Sequence, residues 1–155
     1  MATNSTPRFF NSTFEAEMRI LLILSETTVW PLSNDTLAYM DFMAVYGKDY
    51  GVSHENLHGN NQYRLGEITS RIELIGLAIP ELVKSDFIEA VDGGEDFLYQ
   101  ITDSGELFID KVEDTYSEEY RDAVRNIVKK FNVIDSKNLR KIIFEKSTSA
   151  ERGKI

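Results

Sequence analysis

Apolar residues follow helical spacing along most of this chain and strand-like alternation in one short stretch. After an extended lead over residues 1–10, Asn11-Ser12-Thr13 offers an N-cap, and 14–26 reads as a helix. Met18 and the run Ile20-Leu21-Leu22-Ile23-Leu24 leave it little polar face, which predicts a central, buried position. Trp30-Pro31 closes that unit, because proline disfavours helix in the residue before it. Ser33 or Asn34 then caps a second helix to about Tyr46, apolar on almost every side through Leu37, Tyr39, Met40, Phe42, Met43 and Val45. Such a pattern predicts the fold on one side of this helix and a partner on the other. Gly47 suits the left-handed position after a helix end.

A long polar loop follows over 47–62, and loops of this length in compact domains are commonly functional. From 65 to 85, Ile68, Ile72, Ile75, Ile79 and Leu82 draw one continuous apolar stripe, with Pro80 expected to kink or divide the helix. The alternating run Phe87-Ile88-Glu89-Ala90-Val91, the acidic turn Asp92-Gly93-Gly94-Glu95-Asp96 and the run Phe97-Leu98-Tyr99-Gln100-Ile101 predict a β-hairpin. Further helices are expected over 103–114, over 117–131 with Ser117 as cap, and over 135–146. Helix, hairpin, helix is the back half of a winged helix. The fold class is therefore mainly α with a small β-hairpin (α+β), a winged-helix-like domain with extra C-terminal helices. Residues 1–115 form the domain, with the wing at about 87–101. Residues 116–147 form a helical extension packed on it, and 148–155 a flexible tail.

Composition narrows the class. The 155 residues are 42% hydrophobic and 28% charged, ordinary for a globular protein with one core. The absence of cysteine excludes a disulfide framework and thiolate metal sites. No run is long enough to span a membrane and the start lacks a signal peptide, so a cytoplasmic protein is expected. The Asn-x-Ser/Thr matches at Asn4, Asn11 and Asn34 then read as chance.

Charge separates the two ends. Residues 1–120 hold 7 Lys/Arg against 22 Asp/Glu, a balance of −15, while 121–155 carry +6. Between Gly66 and Asp103 the basic residues are Arg71 and Lys84, against nine acids. Duplex affinity rests largely on cations at phosphates, so this face repels DNA. The 18 residues between Tyr46 and Leu65 also exceed the short turn of a DNA-reading helix pair. A possible nucleic-acid contact is confined to Arg121, Arg125 and Lys129, spaced along one helix face, where a solvated stripe is the commoner explanation.

Catalytic signals are thin. His54-Glu55-Asn56-Leu57-His58 matches the letters of a zinc-hydrolase motif, but its glycine-flanked setting leaves barely one helical turn, and no third ligand is evident. No metal or other cofactor is expected. Asp41, Tyr39, Arg64 and Arg71 are the polar residues expected to be partly buried, as ion pairs of Arg71 with Glu67 or Glu73, or of Arg64 with Asp41.

Several of these residues also carry a family resemblance. Phe10-Asn11-Ser12, Phe14-Glu15-Ala16 and Arg19-Ile20-Leu21 open the pattern, and Leu37-Ala38-Tyr39-Met40-Asp41-Phe42 and Asn56-Leu57-His58 continue it. Tyr63-Arg64-Leu65-Gly66-Glu67, Arg71-Ile72-Glu73-Leu74-Ile75, Phe97-Leu98-Tyr99 and Tyr120-Arg121 follow in order. Over roughly residues 9–145 the chain resembles the middle component of ABC-three-component systems, of the second type. It departs from that pattern at Gly59-Asn60, where the family commonly has proline after the loop histidine.

The resemblance implies a small non-catalytic adaptor subunit bridging an SMC-like ABC ATPase and a nuclease-type effector, with Lamassu-type anti-phage systems as the setting. DNA would be met only indirectly or through the basic C-terminal helices. Tyr39, Asp41, Phe42, Tyr46, His58, Tyr63, Arg64 and Arg71 become the protein-interface candidates. The alternative is a winged-helix transcriptional regulator that binds DNA.

Overall fold

Ser12 starts the first helix by accepting a hydrogen bond from the Glu15 amide, and α1 spans Thr13–Ser25. A two-residue strand, β1 (Leu32–Ser33), follows, and Ser33 caps α2 (Asn34–Val45) in the same way through the Thr36 amide. Two short 3₁₀ turns, Gly47–Tyr50 and Arg64–Gly66, lie between α2 and α3 (Glu67–Lys84). The hairpin is β2 (Ile88–Asp92) and β3 (Phe97–Ile101), after which come α4 (Asp103–Asp110), α5 (Thr115–Lys130) and α6 (Ser136–Gly153). The computed structural model describes residues 12–59 and 64–153, with side chains to Lys146.

The fold is mostly helical with one antiparallel sheet, as the apolar pattern predicts. The sheet has three strands in the order β1-β3-β2. Register places Ile88 opposite Ile101, and Leu32 and Ala90 on either side of Tyr99, so one face carries the larger apolar side chains toward the helices. Strand β1 is too short to leave an alternation signal, and it is the one strand the sequence did not reveal.

Several expected details are corrected. α3 runs unbroken through Pro80. Pro80 and Gly76, whose carbonyl loses its intrahelical donor, are both exposed, so water can serve that carbonyl. Gly47 is not left-handed; a Cβ there would lie 2.2 Å from Ser53 Oγ, so the requirement is close approach. Asp114 rather than Ser117 caps α5, accepting from the Ser117 amide at 2.7 Å. α6 continues to Gly153 rather than ending near Lys146.

The larger correction concerns α2. Every residue from Thr36 to Val45 is buried, because α1 and α3 cover one part of its surface and α5 and α6 cover the rest. The apolarity of this helix is satisfied within the chain.

Candidate functional site

Arg19 on α1 and Asp41 on α2 meet at the centre of the molecule, each side chain only 1% exposed. Arg19 Nε donates to Asp41 Oδ1 at 2.8 Å, Arg71 Nη1 to Oδ2 at 2.7 Å, and the Tyr120 hydroxyl to Oδ1 at 2.5 Å. Arg71 Nη2 also donates to Glu67 Oε1 at 3.1 Å, and the Tyr46 hydroxyl donates to the other Glu67 oxygen. Two guanidinium groups are thus opposed by two carboxylates, so this charge cluster is balanced.

Burial pushes the Asp41 carboxyl up, but Arg19 and then Arg71 outweigh it and hold the group below the usual carboxylate range. Burial raises the Tyr120 hydroxyl well above its ordinary value, with Asp41 adding to the effect. For Tyr46, burial and then the bond to Glu67 act in the same direction. These shifts keep Asp41 ionised and both phenols protonated at neutral pH.

The expected Arg71–Glu67 pair is present, while Glu73 faces outward. The expected Arg64–Asp41 pair is not. Asp41 is occupied by Arg19 and Arg71, and Arg64 Nη1 instead donates to Asp49 at 2.6 Å with its guanidinium 4.8 Å over the Tyr46 ring. Tyr39, Asp41, Phe42, Tyr46 and Arg71 are all buried, so the folded chain does not offer them as a docking surface. Tyr63 lies outside the described residues.

The polar loop after α2 is fastened to α5. Lys130 Nζ donates to the Tyr50 carbonyl at 2.7 Å and Asn126 Nδ2 to the Val52 carbonyl at 2.9 Å, while Tyr50 and Val52 bury their side chains. His58 Nε2 lies 2.7 Å from the Tyr116 hydroxyl, and the two rings stack. Burial, then the charge of Arg19, push the His58 imidazole down to about 4. Residues 54–58 form bends and a turn rather than a helix, so the i, i+4 geometry of a zinc motif does not arise. Among the described residues no group of three or more His, Asp or Glu could hold a metal.

The basic stripe of α5 is also engaged. Arg121 Nη1 donates to Glu26 at 3.0 Å and to Ser25 Oγ at 2.8 Å, and its Nη2 reaches Asp110. Arg125 donates to the other Glu26 oxygen at 2.8 Å and to Asp122 at 2.7 Å. Lys129 is exposed. Of the possible nucleic-acid contact Arg121, Arg125 and Lys129, the two arginines thus carry ion pairs to carboxylates of the same chain.

The family model of the ABC-three component system Middle Component 2 matches residues 9–152. The chain belongs to this family. Neither a characterised protein nor a solved structure matches it. As a middle component it is one component of a multi-subunit system. Among the described residues no helix is long and apolar enough to cross a membrane.

Two of the grooves among the described residues border the polar loop and α3. The larger, of about 910 Å³, lies between the loop and α5, with Val52 and Leu57 below and charges of both signs around it. The smaller, of about 400 Å³, runs along α3 between Glu67 and Leu77. The sequence did not reveal Arg19 or Tyr120 as members of the central cluster, nor Tyr116 as the partner of His58. Arg19 lies just before a run of apolar residues and Tyr120 within a helix of strongly polar composition, so neither stands out by type.

Proposed function

We propose that this middle component is a non-catalytic adaptor bridging an SMC-like ABC ATPase and a nuclease-type effector in a Lamassu-type anti-phage complex. The observation that carries the reading is the internal commitment of the candidate reactive side chains and of Arg121 and Arg125. Asp41, Arg19, Arg71 and Tyr120 bind one another, His58 binds Tyr116, and Arg121 and Arg125 bind Glu26. What remains outside is suited to protein contact. The element order, with β1 between the first two helices and joined to β3, supports a winged-helix-like adaptor, and we place its action in the cytoplasm.

The regulator reading fares worse on charge. Of the two cations between Gly66 and Asp103, Arg71 is buried and Lys84 lies 3.3 Å from Glu81. Co-expression with the neighbouring genes, tagged pull-down and native mass spectrometry test the proposal. Recovery of an ATPase and an effector at fixed stoichiometry is expected. A lone chain that shifts duplex DNA at low salt overturns it.

A further inference from the structure

Among the described residues, one face of α3 is left uncovered. Ser70, Glu73, Leu77 and Glu81 recur there at helical spacing, all exposed, with Leu77 65% exposed. Leu74 and Leu77 form apolar walls of the 400 Å³ groove, and Glu67 and Glu73 supply its negative charge. Beyond the helix the carboxylates continue through Asp86, Glu89, Asp92, Glu95 and Asp96, every one exposed, with the apolar ring of Phe97 63% exposed beside them. Lys84 is the only exposed cation between Gly66 and Asp103, and Glu81 lies beside it.

We propose that the uncovered face of α3 docks a Lys/Arg-rich, partly apolar surface of a partner subunit. The inference rests on the adaptor reading and adds the chemistry of the partner. Charge complementarity selects the occupant: a face with this excess of carboxylate repels nucleic acid and a second copy of itself, and attracts a basic protein. The exposed Leu77 and Phe97 require an apolar counterpart, which a solvated polyamine or free cation lacks.

The test uses the full chain co-expressed with the other subunits of its system, tagged and captured, with recovery read by mass spectrometry. Glu73→Lys/Glu81→Lys reverses two exposed charges on α3, and Leu77→Ser removes the apolar anchor. Glu113→Lys/Glu118→Lys makes the same net charge change at exposed positions away from both grooves. Thermal melts of all variants establish that they fold. Recovery of the subunit bearing the basic surface is expected to fall about tenfold or more for the α3 reversal, and to stay within about twofold for the control. It should also fall as salt rises from about 0.1 M to about 1 M, which shortens the screening length from about 10 Å to about 3 Å.

Failure of the wild-type chain to recover any subunit sinks the adaptor reading and this proposal with it. Normal recovery by both α3 variants overturns the proposal while the adaptor reading stands. A wild-type chain that dimerises alone, and loses the dimer on Leu77→Ser, makes the face a self-interface and also overturns it.

Discussion

Asp41→Asn is the sharpest test of how this fold is held together. The carboxylate accepts from Arg19, Arg71 and Tyr120 at 2.5–2.8 Å, and its side chain is 1% exposed. Asparagine keeps one acceptor oxygen, but its NH₂ group then faces a guanidinium, donor against donor. The substitution also removes the carboxylate that two buried cations share, while Glu67 still bonds Arg71. Breaking a buried ion pair from one side costs about 3–5 kcal/mol. For a chain of this length that is a large share of a total on the order of 10 kcal/mol. At about 2–4 °C per kcal/mol, the melting temperature should fall by roughly 6–20 °C.

Urea unfolding followed by far-UV circular dichroism measures the loss directly. The companion variant Arg19→Met/Asp41→Leu/Arg71→Met removes the three buried charges together, and should regain most of the stability because the carboxylate left without a guanidinium, Glu67, is 28% exposed and keeps its bond from Tyr46. A loss below about 1 kcal/mol for Asp41→Asn, or a companion no more stable than the single variant, would refute the reasoning.

Three further predictions follow from the geometry. The folded chain holds His58 neutral down to about pH 4, whereas the unfolded chain protonates it near pH 6.5. The contribution is therefore complete above about pH 6.5 and is lost as pH falls toward about 4; urea midpoints should show this slope, flattened in His58→Gln, and an unchanged slope would contradict it. Glu26→Gln weakens the anchor of Arg121 and Arg125, and a loss of about 1–3 kcal/mol is expected by thermal melt, with no change in the α-helical spectrum. Gly105→Ala gains up to about 1 kcal/mol of helix propensity but places a Cβ 2.2 Å from the Phe87 carbonyl oxygen, so net destabilisation of about 1–3 kcal/mol is expected in the same assay.

The elements legible in the sequence were those whose signal is local. Ser12 and Ser33 cap the helices they were expected to cap, because a hydroxyl three residues before an amide needs no distant partner. The hairpin was readable from two alternating runs on either side of a glycine turn; Gly94 takes φ 94° there, a conformation open to glycine at little strain. What stayed hidden depends on partners far along the chain. Arg64 selects Asp49 over Asp41 because Arg19 and Arg71 already occupy both oxygens of Asp41, a competition that no spacing encodes.

The misreading of α2 has a more general cause. A helix apolar on every side reports how many neighbours cover it and says nothing about which chain supplies them. Here α5 is polar overall yet amphipathic, and Tyr120, Val124 and Ile127 line the face it buries. Together with α6 it covers the side of α2 that seemed to await a partner. The same helix turns Arg125 and Lys129 outward and ties Arg125 to Glu26, so its basic charge is largely spent on the fold's own acids. The partner-facing candidates therefore shift from α2 to α3, where Glu73 and Leu77 are left uncovered by the chain's own helices.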